Sequence, residues 1–410
     1  MTVKCRFCQH ELTHEFIDLV NAPPSNSFLG AEELNEPEVF YPLKLFVCDK
    51  CFLVQIDEYK KSEEIFGDKY AYFSSFSSTW LEHARQYVEM ITPRLGLNKD
   101  AFVVEIGSND GYLLQYFKEK NIPCLGIEPA KRTAEVARDK GIEVITEFFG
   151  VRLAEKLTKQ GRQADLVVGN NVLAHVPDIN DFVKSLKILL KKNAVATFEF
   201  PHLMRLVEEN QFDTIYHEHF SYLSFHTVSR IFSEYGLVLF DVDELPTHGG
   251  SLRIYAGHQD DRSKELSANV EALYEKESAA GMGDLSYYLG FQDKADKVKY
   301  ELLSFLLAQK RQGKKVVAYG AAAKGNTLLN YCGIKKDLIE FVADASPHKQ
   351  GKFLPGSHVP VVEEERIREL RSDYVLILAW NIKEEVIEQL KYIRDWGGRF
   401  VTPIPQVTIL

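Results

Sequence analysis

Apolar positions along the chain fall into short runs that end in glycine or polar residues and then hand over to helical periodicity. The clearest run is Ala101-Phe-Val-Val-Glu105-Ile-Gly107-Ser-Asn109-Asp-Gly111-Tyr-Leu-Leu, which reads as a buried strand, a tight glycine turn and the start of a helix. Pro123-Cys-Leu-Gly-Ile predicts a second strand ending at Glu128, and a third ends near Glu147-Phe148-Phe149. Ala164-Asp-Leu-Val-Val-Gly predicts a fourth, opening into Asn170-Asn171, and Ala194-Val-Ala-Thr-Phe-Glu199-Phe-Pro201 a fifth. Later, Lys315-Val-Val-Ala-Tyr-Gly320-Ala-Ala-Ala-Lys324-Gly325-Asn326-Thr327 repeats the strand, turn and helix, followed by strands at 339–344 and from Tyr374. Two doubly wound α/β units are expected.

Other segments break this rhythm. Tyr41-Pro-Leu-Lys-Leu-Phe-Val alternates as a strand, 79–97 is an amphipathic helix, and 262–312 reads as two helices interrupted at 280–283. Residues 9–47 carry Asn21-Ala-Pro-Pro-Ser and Glu36-Pro37, which predict turns and extended chain rather than helix. Tyr70-Ala-Tyr-Phe-Ser-Ser-Phe-Ser-Ser has the composition of a packed loop.

Composition narrows the class. The 410 residues are 45% hydrophobic and 26% charged, enough for two to three cored domains and unlike a disordered chain. A net charge of -10 sets an unfavourable field for a partner gripped through phosphates, so no nucleic acid is expected. No run approaches the roughly eighteen apolar residues of a membrane span, and MTVKCRFCQHEL lacks an apolar leader, so no membrane partner and a cytoplasmic location are expected.

Six cysteines are too few for a disulfide scaffold, yet four are paired as Cys5-x-x-Cys8 and Cys48-x-x-Cys51. Two such knuckles supply four thiolates at tetrahedral corners and leave no open position, so a structural zinc is expected. A zinc ribbon can also clamp RNA, and that is the competing reading of this module. The acidic Asp49, Asp57 and Glu58 around the second knuckle argue against it.

The turn at Gly107-x-Asn109-x-Gly111 lacks the second glycine that lets a pyrophosphate approach the backbone, so a smaller ligand is expected there. Glu105 would stabilise a sulfonium or ammonium group. Glu128 is placed to accept both hydroxyls of a ribose, and Phe148 suits an adenine face. With the loop Asn170-Asn171-Val-Leu-Ala-His175, this succession resembles the class I S-adenosylmethionine methyltransferase fold over roughly residues 75 to 250.

Tyr216-His217-Glu218-His219-Phe220-Ser221-Tyr222 is dense in acid–base groups. If extended, it would place Tyr216 and Glu218 on one side and His217 and His219 on the other, so spacing does not choose a base. In the C-terminal unit, backbone N–H groups at a helix start with Lys324 and Thr327 make a diphosphate cradle, to which Asn326 is added.

Taken in order, the knuckles, Tyr-Ala-Tyr-Phe-Ser-Ser, Glu-Ile-Gly-Ser-Asn-Asp-Gly, the Asn-Asn loop, Tyr-His-Glu-His-Phe-Ser-Tyr and His248-Gly-Gly-Ser-Leu-Arg253 resemble the S-adenosylmethionine-dependent sugar C-methyltransferases, across essentially the whole chain. That family methylates C3 of nucleotide-linked 4-keto-deoxyhexoses. The resemblance implies that His219 is the base and that Tyr216, Glu218 and His175 lie beside the sugar, with Tyr222 of the same motif expected to bind it too. It also implies that Tyr70 reaches the active site, against the packed-loop reading. The competing reading is an RNA-modifying methyltransferase with the zinc ribbon as RNA clamp. The expected organisation is a zinc-binding module (1–70), a methyltransferase domain (71–260) and a C-terminal Rossmann-like domain binding the nucleotide sugar (261–410). The expected nucleotide is dTDP, and the expected state a monomer.

Overall fold

Three sheets carry the chain, and a computed structural model describes residues 3–61, 64 and 73–410. The first is antiparallel, with β1 (His14–Ala22), β2 (Tyr41–Val47) and β3 (Val54–Ile56) in that order. Its fourth strand arrives from far along the sequence.

The second sheet holds β4 (Val103–Ile106), β5 (Cys124–Ile127), β6 (Glu143–Ile145), β7 (Ala164–Asn170) and β8 (Leu190–Pro201). The next strand, β9 (Ser221–Tyr222), leaves this sheet and pairs antiparallel with β3, which completes the first one. Then β10 (Leu237–Leu245) and β11 (Ser251–His258) return, giving the order β10-β11-β8-β7-β4-β5-β6, in which β11 runs antiparallel to both neighbours. The inner strands are apolar without alternation because helices cover both faces.

The third sheet comprises β12 (Val316–Tyr319), β13 (Val342–Ala343), β14 (Val361–Val362), β15 (Tyr374–Ile377), β16 (Arg399–Thr402) and β17 (Thr408–Ile409). Its order is β14-β13-β12-β15-β16-β17, parallel except at β17. The strand expected at 339–344 is shorter than its apolar run, pairing only at Val342–Ala343.

Helix ends follow local chemistry. Helix α1 (Ser78–Leu95) begins where Ser77 accepts the Trp80 N–H at 3.2 Å and ends at left-handed Gly96. Helix α2 (Phe225–Glu234) starts at Ser224, whose hydroxyl accepts from Thr227 N at 3.1 Å. The two helices expected in 262–312 are α3 (Ala268–Ala279), packed on α2 and β10, and α4 (Phe291–Arg311), packed on β1. Helix α5 (Ala323–Cys332) follows the second glycine turn.

The apolar clusters show how the sheets join. Cys5, Cys48, Cys51 and Leu53 share a core with Val104, Ile106 and Val228, so the knuckles rest on one face of the central sheet. Phe16, Leu45 and Ile56 share another core with Phe212, Phe220, Leu302, Leu328 and Leu376. The first sheet is therefore wedged between the central and C-terminal units.

One buried polar cluster braces this arrangement. Glu277, fully buried on α3, accepts from His202 Nε2 and His226 Nδ1, each at 2.7 Å, and from the N–H groups of Phe225 (2.6 Å) and His226 (2.9 Å). Burial alone would raise its carboxyl, but the two histidines and the N–H groups hold it at about 2, against an ordinary 4.5. Because the folded value is depressed, the stabilisation is present above about pH 4.5 and lost as pH falls through about 2. Glu277→Gln should cost about 3 kcal/mol at neutral pH, with the difference from wild type vanishing near pH 2, as read by denaturant melts across pH.

Candidate active site

The C-terminal ends of β4, β5 and β7 meet at the glycine turn. Gly107, Asn109 and Gly111 all have positive φ, at 67°, 48° and 76°. A side chain on Gly107 would sit 2.6 Å from a Val172 methyl, so the turn needs glycine for packing as well as for conformation. Glu128 locks the turn, accepting from Asn109 N at 2.9 Å and Ala130 N at 2.8 Å. A carboxylate with two such bonds keeps lone pairs for a further donor.

The turn is covered by part of the serine-rich segment. Ser74 N donates to Asn109 Oδ1 at 2.9 Å and Ser75 N to Asp110 Oδ2 at 3.3 Å. Tyr70, expected to reach the site, lies outside the described residues. Phe148 is 42% exposed beside β6, as a stacking face would be.

Two buried groups in this crevice fit a polar, cationic ligand. Burial pushes the Glu105 carboxyl well above the usual range, with Tyr112 pulling the other way, so it ionises only when a positive charge arrives beside it. Asn170 is 8% exposed, and neither its amide nitrogen nor its oxygen has a hydrogen-bond partner. An unsatisfied buried amide costs free energy that a bound ligand recovers. Its neighbour Asn171, left-handed at φ 55°, donates to His248 Nε2 at 3.1 Å.

The histidine motif is a turn, not the extended strand that the alternation argument assumed. His219 N donates to Tyr216 O at 3.0 Å, which brings Tyr216 and His219 to the same side. The Tyr216 hydroxyl lies 2.9 Å from His219 Nε2, and His219 Nδ1–H donates to Thr214 O at 3.2 Å. The carbonyl fixes the proton on Nδ1, so Nε2 carries a lone pair and Tyr216 donates to it. His175 Nδ1–H donates to Glu218 O at 2.7 Å, and its ring lies 4.6 Å from that of His219. Tyr222 accepts the Tyr216 N–H at 3.3 Å, with its ring 6.1 Å from His219. His217 faces away, its Nε2–H donating to Pro42 O at 3.1 Å.

Burial lowers the basicity of these imidazoles. His175 is pushed down to about 4, and His219 well below 6.5, where burial is reinforced by His175. Both rings are neutral at physiological pH. Burial raises the Glu218 carboxyl; its Oε1 accepts from Asn26 Nδ2 at 3.2 Å, and Oε2 is unpartnered.

The C-terminal unit closes over the motif. Half-buried Lys324 donates to Asn381 Oδ1 at 2.7 Å and lies 4.6 Å from the Trp380 ring centre, while Trp380 Nε1 donates to Asp213 Oδ2 at 2.7 Å. Burial pushes Asp213 up to about 6, against the pull of Lys324. Thr327 donates to Ile215 O at 2.8 Å, a tie from α5 to the motif. Asn326 is 1% exposed with both amide atoms unpartnered. Sequence reasoning missed Asn26, Asp213, Trp380 and Asn381 as participants, because none stands in a motif whose spacing marks chemistry.

The knuckles also meet. One ligand atom from each of Cys5, Cys8, Cys48 and Cys51 lies within 4.8 Å of the others, with Sγ pairs at 3.5 Å. Tetrahedral zinc at about 2.3 Å needs sulfur separations of about 3.8 Å, so the set fits. Gln55 Nε2 donates to Cys5 Sγ at 3.2 Å, the kind of outer contact that orients a thiolate.

The strand order of the central sheet, the ligand-hungry crevice at its glycine turn and the four-cysteine cluster define an S-adenosylmethionine-dependent methyltransferase with a structural zinc. Residues 5–66 match a zinc binding domain family, 80–242 a methyltransferase domain family and 246–405 the C-methyltransferase C-terminal domain. The C-methyltransferase NovU of Streptomyces niveus is 34% identical over 407 residues, 99% of this chain and 96% of that protein. The chain belongs to this C-methyltransferase family. The ubiquinone biosynthesis O-methyltransferase of Bordetella avium is 27% identical over 131 residues, 29% of this chain and 54% of that one. Among solved structures, a possible histamine N-methyltransferase from Thermotoga maritima aligns with 44% of this chain and 89% of its own, at 20% identity and a TM-score of 0.34. Among the described residues, no helix is long and apolar enough to cross a membrane.

The neutral histidines are directly observable. Imidazole nitrogen-15 shifts should show His175 and His219 uncharged from about pH 8 down to about pH 6, whereas an ordinary histidine is more than half protonated at the lower end. A protonated His219 at about pH 7 would contradict the geometry.

Proposed function

We propose that the enzyme methylates C3 of a nucleotide-diphosphate-linked 4-keto-deoxyhexose, with His219 generating an enolate. The observation that carries this reading is the state of His219: neutral, buried, and held in one tautomer with the Nε2 lone pair beside a phenol. The motif resemblance supplies the sugar.

A hydrogen on carbon next to a ketone is acidic because the electron pair left behind delocalises onto oxygen. His219 Nε2 takes the C3 proton and becomes an imidazolium, which Thr214 O stabilises through Nδ1–H. The C3–H electron pair moves into the ring as the enolate, with its negative charge on O4. As substrate enters, the Tyr216 hydroxyl leaves Nε2 and turns its hydrogen to O4; His175, the other candidate donor, has its one N–H committed to Glu218 O and no hydrogen on Nε2 to give. Bound S-adenosylmethionine would supply an electrophilic methyl group: C3 would bond to it with the enolate's electron pair, and the methyl–sulfur pair would stay on sulfur, turning the sulfonium into a thioether. Gly107, Asn109 and Gly111 shape the floor of that donor's site, with Glu128 toward a ribose and Phe148 toward a base. Glu105, Asn170 and Asn171 line its reacting end. Tyr70, Glu218 and Tyr222 contact the sugar.

In the division into 1–70, 71–260 and 261–410, the third unit holds the diphosphate through Lys324 and Asn326. Asn326 supports this, since its buried amide has no partner in the protein. Thr327 braces rather than binds: its hydroxyl is engaged with Ile215 O, and its N–H lies inside α5, one residue past the Asn326 N–H that donates to Ala322 O. We take the nucleotide as dTDP, the state as monomeric and the location as cytoplasmic.

The test uses a panel of nucleotide-linked 4-keto-deoxyhexoses in deuterium oxide. Wild type should exchange the C3 hydrogen and transfer methyl. His219→Asn should bind S-adenosylmethionine normally and lose both reactions by roughly a thousandfold. Exchange at the wild-type rate would remove His219 from the role. Because the base must be neutral and its folded value lies below 6.5, kcat/KM should hold from about pH 8 down to about pH 6.5. Lys324→Ala should weaken binding of the nucleoside diphosphate roughly tenfold by calorimetry; unchanged affinity would place the diphosphate elsewhere.

A further inference from the structure

The N-terminal unit reaches the reacting centre through a segment the zinc ligands do not touch. Between β1 and β2 the chain runs as a strap onto the C-terminal unit. Leu29 and Phe353 exchange both backbone hydrogen bonds, at 3.0 and 2.9 Å. Glu38 accepts from Gly356 N and from His358 Nε2, each at 2.9 Å. The turn before these ties, Pro24 to Ser27, is closed by Ser27 N donating to Pro24 O at 3.0 Å, with Ser25 buried beneath it. Asn26 sits at its outer corner, and its Nδ2 donates to Glu218 Oε1 at 3.2 Å. Glu218 is 4% exposed, and among the described residues Asn26 is the side chain that donates to it.

We propose that Asn26 is a positioning residue for the methyl-transfer site: the strap anchors one oxygen of Glu218 so that the other, Oε2, is presented to the sugar. This rests on the reading of Glu218 as a group that faces substrate. Holding Oε1 removes the freedom of the carboxyl to rotate, which is the kind of prearrangement that lowers a barrier without adding a contact. The donor is a neutral amide rather than a lysine or arginine. It orients the carboxyl without spending its charge, so Oε2 can pair with a sugar ammonium or accept from a hydroxyl. The residue comes from the zinc-bearing unit, so that unit would contribute to turnover beyond its metal.

A double-mutant cycle on the full chain tests this, using the best nucleotide-linked 4-keto-deoxyhexose of the panel. Asn26→Ala should lower kcat roughly tenfold, with zinc content, melting temperature and KM for S-adenosylmethionine unchanged. Glu218→Gln should lower kcat further, and adding Asn26→Ala to it should change nothing, because an NH2 group then stands where Asn26 would present the carboxylate oxygen Oε2. A wild-type kcat for Asn26→Ala overturns the proposal, as does a full tenfold loss on top of Glu218→Gln, which would mean that Asn26 acts elsewhere. Wild-type turnover by Glu218→Gln alone would instead sink the reading of Glu218 on which the proposal stands.

Discussion

The pairing of β9 with β3 is the constraint on which the site depends. Only Ser221 and Tyr222 take part, opposite Gln55 and Val54, with Ile56 N donating to Phe220 O at 3.2 Å just before them. Once that short strand is in register, the turn ahead of it has nowhere to go but back across the mouth of the central sheet, where Tyr216 and His219 meet. Zinc reaches the same place through one residue. Arg6, between Cys5 and Cys8, donates to Pro177 O at 2.8 Å and to Ile56 O, and its guanidinium lies 5.3 Å from the centre of the Phe220 ring. Arg6, set between two of the cysteines, thus ties the first knuckle both to the loop after His175 and to the ring just before β9.

Environment decides what each buried histidine can do. His202 and His226 share the carboxylate of Glu277, and His83 donates to Glu199 at 2.8 Å, with Arg253 on the same carboxylate. Imidazoles tied to a buried carboxylate in this way serve as braces. His175 and His219 are buried with carbonyl oxygens as Nδ1 partners. A carbonyl orients the ring and selects the tautomer without a full negative charge to hold a proton on it, so the outward nitrogen carries a lone pair.

The two glycine turns are locked the same way. Glu128, at the end of β5, accepts the Asn109 N–H, and Asp344, at the end of β13, accepts the Ala321 N–H at 2.7 Å. An acid at the end of the second strand satisfies a donor in the turn after the first, and so holds the crevice open before any ligand arrives. The C-terminal unit is tied to the chain leading into the histidine turn by Thr327 to Ile215 and by Trp380 to Asp213.

Local pattern was enough for the two α/β units, the four-cysteine set and the motif order, because strand periodicity, glycine turns and thiolate spacing are written within a few residues of one another. Cys5 to Cys51, the Gly107 turn and the Gly320 turn could all be read in this way. What periodicity could not reach was the conformation of Tyr216 to His219. Alternation on an extended chain separates the two residues, whereas the turn joins them, and that turn is imposed by β9 pairing with a strand more than 160 residues earlier. The strap carrying Asn26, and the Asp213, Trp380 and Asn381 network, were hidden for the same reason. Their partners lie in other units, and a side chain whose role depends on a distant carboxylate or indole leaves no local spacing to read.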